Sequence, residues 1–146
     1  MASREITALD SSVIVAGLLA WHEAHERSFG ALVQARRGTI VVPGPALVEA
    51  YAVMTRLPAP HRLAPSDAID LLSGSFEGSS SIVSLSETET WRFLHEVAGH
   101  RVAGGSSYDA LILRCARKAR ATILLTLDRA DFGRLDAAGM QIVVPI

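Results

Sequence analysis

Apolar positions along the chain follow two rhythms. Five short runs predict β-strands: Ile6-Thr7-Ala8-Leu9, Thr39-Ile40-Val41-Val42, Ile82-Val83-Ser84-Leu85, Thr122-Ile123-Leu124-Leu125-Thr126 and Gln141-Ile142-Val143-Val144. Longer segments with helical spacing lie between them. Residues 12–20 and roughly 22–37 read as two helices or one interrupted helix, closed by Gly38. Pro45 suits the first turn of a helix running to about Arg56, and residues 57–64 form a proline-punctuated connection. A helix from Pro65 to about Ser75 carries Ser66 and Asp67 in its first turn, and small polar residues dominate 73–81. Ser86-Glu87-Thr88-Glu89 is a capping pattern for a helix to about Ala98. After a break over 99–105, Ser106 opens a helix to about Ala119. Some of the strands are continuous apolar runs, which a parallel sheet covered on both faces requires. The expectation is one domain over residues 1–146, an α/β fold built as a three-layer α/β/α sandwich with a central parallel sheet.

Composition supports a folded core: 49% of the 146 residues are hydrophobic and 20% charged, so the chain should fold without covalent staples. The single cysteine, Cys115, forms no intramolecular disulfide and reads as a buried, inert thiol of a reducing compartment. MASREITALD carries charges before any apolar run, and Trp21-His22-Glu23 interrupts the run that follows, so no export signal or membrane anchor is expected and the cytoplasm is the default location. Net charge is −1, which does not argue for nucleic acid. Its distribution says more. Residues 1–91 hold 6 basic and 10 acidic side chains, residues 92–146 hold 8 and 5, and all basic residues but Lys118 are arginine, the side chain suited to bidentate phosphate contacts.

Several acids stand in apolar company. Glu49 has Pro45, Ala46, Ala52 and Val53 three and four positions away, which places it on an apolar helical stripe unless the helix turns it to the solvent margin. Asp10 ends the first strand at a turn into a helix, a position equally suited to a ligand or to a helix cap. Asp109 shares that ambiguity: with Ser106 as N-cap it would occupy the third helical position, yet Ile112 and Leu113 continue an inward row from it. Asp128 follows the fourth strand with the parity of Thr126, and Asp131-Phe132 lies one turn on. A parallel sheet can gather such strand-end and helix-start acids at one edge. Crowded carboxylates repel and raise one another's pKa unless a divalent cation neutralises them, and an all-oxygen set suits Mg2+ or Mn2+ over zinc.

Leu9-Asp10-Ser11-Ser12, Val48-Glu49, Ser107-Tyr108-Asp109-Ala110, and Leu125-Thr126-Leu127-Asp128 with Asp131-Phe132 span nearly the whole chain. In that order they resemble the PIN-domain ribonucleases, and in size and layout the VapC-type toxins of bacterial toxin–antitoxin pairs. The resemblance implies an acidic centre of Asp10, Glu49, Asp109 and Asp128, supported by Ser11 or Thr126. Related sequences often have asparagine where this chain has Asp128, leaving the aspartate before phenylalanine as the acid. Both Asp128 and Asp131 are present here, and Asp128 is preferred as nearer the strand end. The activity implied is Mg2+- or Mn2+-dependent hydrolysis of RNA phosphodiesters, the partners a small cognate antitoxin and a second copy of the chain in a homodimer. Arg114, Arg117, Arg120, Arg129 and Arg134 are candidate RNA contacts around the acidic pocket.

Other readings fit less well. A phosphatase of the haloacid dehalogenase type needs an acid two residues after its nucleophile, where Ser12 stands. A flap nuclease needs more acids and more chain. A response-regulator-like module has no use for Glu49 in an apolar stripe and lacks a lysine near the last strand. A catalytically silent PIN scaffold acting through protein contacts, or a nuclease for another nucleic acid, remains as the alternative.

Overall fold

A computed structural model describes residues 5–146. The strands are β1 (Ile6–Leu9), β2 (Thr39–Pro43), β3 (Ser81–Val83), β4 (Ile123–Leu125) and β5 (Gln141–Val143). The helices are α1 (Ser11–Leu18), α2 (His25–Ala35), α3 (Gly44–Arg56), α4 (Pro65–Phe76), α5 (Glu87–Gly99), α6 (Ser106–Lys118) and the single turn α7 (Arg129–Phe132). All pairings are parallel and the sheet order is β3-β2-β1-β4-β5. Helices flank this sheet in the α/β/α sandwich that the alternation of apolar runs and helical segments predicts.

The order of strands fixes where a site can form. The chain winds outward from β1 through β2 to β3, then returns through α5 and α6 to lay β4 on the other side of β1. The neighbours β1 and β4 therefore send their following segments in opposite directions, which opens a crevice at their carboxyl ends. Thr7, Ala8 and Leu9 pair with Ile123, Leu124 and Leu125, so Asp10 and Thr126 emerge level with each other at that edge. Two more bonds hold the edge together: Asp10 N–H donates to Leu125 O at 2.9 Å, and Thr126 N–H to Val143 O at 3.0 Å.

The core is continuous beneath this edge. Ala8, Leu9, Val42 and Leu124 of the sheet meet Val13 and Ile14 of α1, Ala46, Ala50 and Met54 of α3, and Ile112 and Ala116 of α6, all buried. Buried positions in α3 (Ala46, Ala50, Met54) and in α4 (Ala68, Leu72, Phe76) repeat every fourth residue, the row one helical face presents. Full burial of a side chain such as Phe76 contributes about 2 kcal/mol. Phe132 is buried from α7. Cys115 is buried, and that burial pushes its thiol up to about 11, as expected of an inert core cysteine.

The boundaries differ from expectation in a few places. Residues 20–24 form turns, so the second helix begins at His25 and not near residue 22. The expected strand over 82–85 is displaced to Ser81–Val83, and Arg129–Phe132 closes one helical turn. The capping box expected at Ser86 is present: Glu89 N–H donates to Ser86 Oγ at 3.2 Å and Ser86 N–H to Glu89 Oε1 at 2.8 Å. No helix among the described residues is long and apolar enough to cross a membrane.

Candidate active site

Asp10 lies at the crevice, only 4% exposed. It stands at the N-cap position of α1 but makes no side-chain capping bond. Two hydroxyls hold it instead: Thr126 Oγ1 donates to Oδ2 at 2.7 Å and Ser12 Oγ donates to the same oxygen at 2.8 Å. Both hydroxyls also accept from the β4 exit, Thr126 Oγ1 from Asp128 N–H and Ser12 Oγ from Leu127 N–H, each at 3.0 Å. The first acid is thus tied by two short bridges to the segment that carries the last. Burial raises the pKa of Asp10, and the bonds from Thr126 and Ser12 act against that rise.

Glu49 departs from its expected place. The buried row of α3 is Ala46, Ala50 and Met54, and Glu49 sits off its flank, exposed. A residue three after Ala46 and one before Ala50 is rotated toward the stripe's edge. It is the solvent margin, and not the interior of the stripe, that brings it to the crevice, where Ser11 Oγ donates to Oε1.

Asp109 is also not a capping residue. Gly105 is the N-cap of α6 and Ser106 the first helical residue, so Asp109 falls one position later than expected, and the cap has no side-chain bond. Its carboxyl is pushed up to about 6, by desolvation first and then by the charges of Asp131, Asp10, Glu49 and Asp128. Asp128, at the start of α7, is raised by desolvation and by Asp131 and Glu49. The five acids thus share one electrostatic neighbourhood, assembled from β1, α3, α6 and the β4–α7 turn. Asp131 acts on Asp109 more strongly than Asp128 does, which makes it a full member of the cluster.

The arginines divide. Arg120 lies beyond the carboxyl end of α6, at the other end of that helix from Asp109. Arg114 is bound to Glu96 and lies over the Phe93 ring, 5.7 Å from its centroid. Arg129 donates to Ile142 O at 3.2 Å. Arg114, Arg117 and Arg134 line one cavity of about 500 Å³ against α5 and α6, beside Ala110 and not among the acids. Sequence reasoning passed over Ser12, whose one signal is a second hydroxyl in Asp10-Ser11-Ser12.

The donors suit a hard divalent cation. They are all oxygens, and the raised pKa values of Asp109 and Asp128, to which neighbouring carboxylates contribute, mark a concentration of negative charge that such an ion relieves. No three His, Cys, Asp or Glu side chains among the described residues stand close enough together to hold one ion.

Comparison with known proteins agrees with this architecture. The PIN domain family matches residues 7–138. Ribonuclease VapC40 of Mycobacterium tuberculosis is 40% identical over 115 residues, covering 79% of this chain and 81% of its own. Ribonuclease VapC27 of the same organism is 36% identical over 139 residues, covering 94% and 95%. Among solved structures, VapC20 of M. tuberculosis, a Sarcin-Ricin loop cleaving toxin, superposes with a TM-score of 0.63 at 14% identity, covering 81% of this chain and 86% of that one. VapBC2 of Rickettsia felis, solved bound to a DNA fragment from its promoter, gives 0.62 at 16%, covering 95% and 98%. A parallel sheet in the order found here, acids gathered at its switch point, and kinship over most of the length with two VapC ribonucleases establish that the chain belongs to the PIN-domain family.

Proposed function

We propose that this protein is a metal-dependent endoribonuclease and the toxin of a toxin–antitoxin pair, cutting RNA at the acidic crevice between β1 and β4. The carrying observation is the convergence of Asp10, Glu49, Asp109, Asp128 and Asp131 on that crevice, where four of them raise the pKa of Asp109. Asp10 and Asp109 are the inner ligands of Mg2+ or Mn2+, with Glu49 and one or both of Asp128 and Asp131 completing the set. These residues would hold the ion, which when bound would lower the pKa of a water at the site and offset charge on the phosphoryl oxygens.

The protein's own residues do the rest. Thr126 and Ser12 fix Asp10 Oδ2 and so orient its carboxylate. Ser11 orients Glu49 through Oε1, so that Oε2 can accept a proton or order water. The buried wall of β1 and β4 keeps the dielectric low around Asp10. A small antitoxin that covers the crevice, and a homodimer, complete the functional unit.

Purified protein, free of antitoxin, is expected to make discrete cuts in a mixed cellular RNA pool with Mg2+ or Mn2+, to stop on chelation, and to lose cutting in Asp109→Asn with the fold retained. Asp128→Asn and Asp131→Asn, prepared alongside, identify the fourth acid as whichever loses activity. Folded, metal-supplied protein that leaves all RNA intact would refute the nuclease reading and leave a silent binding scaffold.

A further inference from the structure

One concave wall of the crevice carries groups that the acidic chemistry does not use. From Ser12, Glu49 and Asp128 the surface continues without interruption to His22, Arg27 and Val53, enclosing about 500 Å³. Arg27 is exposed and takes part in no ion pair among the described residues. Glu23 faces the same groove, so attraction for a phosphate on this side depends on Arg27. Ala24 N–H donates to His22 Nδ1 at 3.0 Å, which places the proton of a neutral ring on Nε2, a donor for a phosphate or base oxygen. Beside His22, at 5.8 Å between ring centroids, lies Trp21. His61 covers one face of its indole at 4.0 Å, and the residue is still 46% exposed.

A guanidinium and an imidazole donor on the wall of this groove, with a half-open indole packed beside the imidazole, match a nucleotide next to the scissile bond: phosphate, then base. We infer that the groove formed by the turn between α1 and α2 is a subsite for single-stranded RNA, in which Arg27 holds the phosphate flanking the cut and Trp21, braced by His61, stacks on a base. This inference rests on the nuclease reading for its substrate class. Arg27 is a positioning residue here, since it reaches the flank and not the reacting atoms. Stacking tolerates any base, so the subsite adds affinity without dictating sequence.

Binding and cleavage test it separately. The chain has two tryptophans, so a Trp91→Phe, Asp109→Asn protein reports on Trp21 alone and does not cut. Titration with a short mixed-sequence single-stranded oligoribonucleotide should quench Trp21 emission. Adding Arg27→Ala should weaken that binding about tenfold and lower the salt slope by about one, whereas Arg27→Lys should restore most of the affinity. In proteins with Asp109 intact, Arg27→Ala should raise KM with kcat retained. Unchanged Trp21 emission, or equal binding by the Arg27→Ala protein, overturns the subsite while RNA cleavage by the parent keeps the nuclease reading. Quenching that depends on Arg27, in a parent protein that never cuts RNA, upholds the subsite and overturns the nuclease reading.

Discussion

Two hydroxyls of the same size meet opposite fates in this protein. Thr126, fully buried, both donates to Asp10 and accepts from Asp128 N–H. Ser28, equally buried in α2 against α1, has no partner for its Oγ among the described residues. Removing a satisfied buried hydroxyl strands its partners, while removing an unsatisfied one relieves a desolvation cost. Thr126→Val should therefore cost about 1–3 kcal/mol in denaturant unfolding and weaken Mn2+ binding, whereas Ser28→Ala should gain up to about 1 kcal/mol with RNA cutting unchanged. Equal and opposite results, with Ser28→Ala destabilising, would mean the hydroxyl has a partner after all. At this scale the sequence carried the types and order of the acids, but not their exposure. Glu49 was legible as an acid in an apolar helix; that it lies on the stripe's edge depends on which face α3 turns to α1, a rotation set by packing. Ser12 was passed over because, although its bond to Asp10 is local, the bonds to Thr126 and Leu127 that give it its role reach 114 and 115 residues along the chain.

Helix ends decide the next level. α6 closes in a Schellman motif, with Ala121 N–H donating to Ala116 O and Arg120 N–H to Arg117 O, both at 3.0 Å. The residue this motif forces into the left-handed region is Arg120, at φ 60°. A side chain pays a conformational penalty there that glycine avoids. Arg120→Gly should therefore raise stability by about 1 kcal/mol and leave RNA affinity untouched, because the residue sits at the end of α6 remote from Asp109. A drop in RNA affinity would return Arg120 to the binding surface. The same logic shows why element ends were harder to read than elements. Gly99 looked like a terminator, yet it is the last helical residue of α5, and Arg101 takes the positive φ beyond it. Apolar rhythm announced the strands and helices well because it is local. Their ends depend on bonds between backbone groups, which many residue types satisfy.

For the whole molecule, the acidic crevice is a source of instability that the rest of the fold offsets. Desolvation and neighbouring charge lift Asp109 from 3.8 to about 6, so between those values the folded chain holds a proton that the unfolded chain has released. The associated stability is present below the lower value and disappears as pH rises through about 6; Asp10 and Asp128 shift in the same direction. Glu89 and Glu96, lowered by Lys118 and Arg114, act with the opposite sign, but only at pH below 4.5. Metal-free protein should thus lose several degrees of Tm between about pH 4 and pH 6, Asp109→Asn should flatten that fall, and Mn2+ at pH 7 should restore the loss in the parent but not in the variant. A flat profile in metal-free parent would show that the acids do not sense one another. The parallel sheet and its helical cover were readable from the alternation of elements, whereas the strand order that creates the crevice was not, since no local signal says on which side of β1 the fourth strand will lie. That order has a consequence in time. Asp10 and Glu49 belong to the portion of chain made first, but the strand that flanks Asp10 on its open side, and the hydroxyl that orients its carboxylate, come from beyond residue 120. A chain that stops short of the fourth strand holds Asp10 and Glu49 but neither the strand nor the hydroxyl that completes the crevice, so the site exists only once the two ends of the sequence have met.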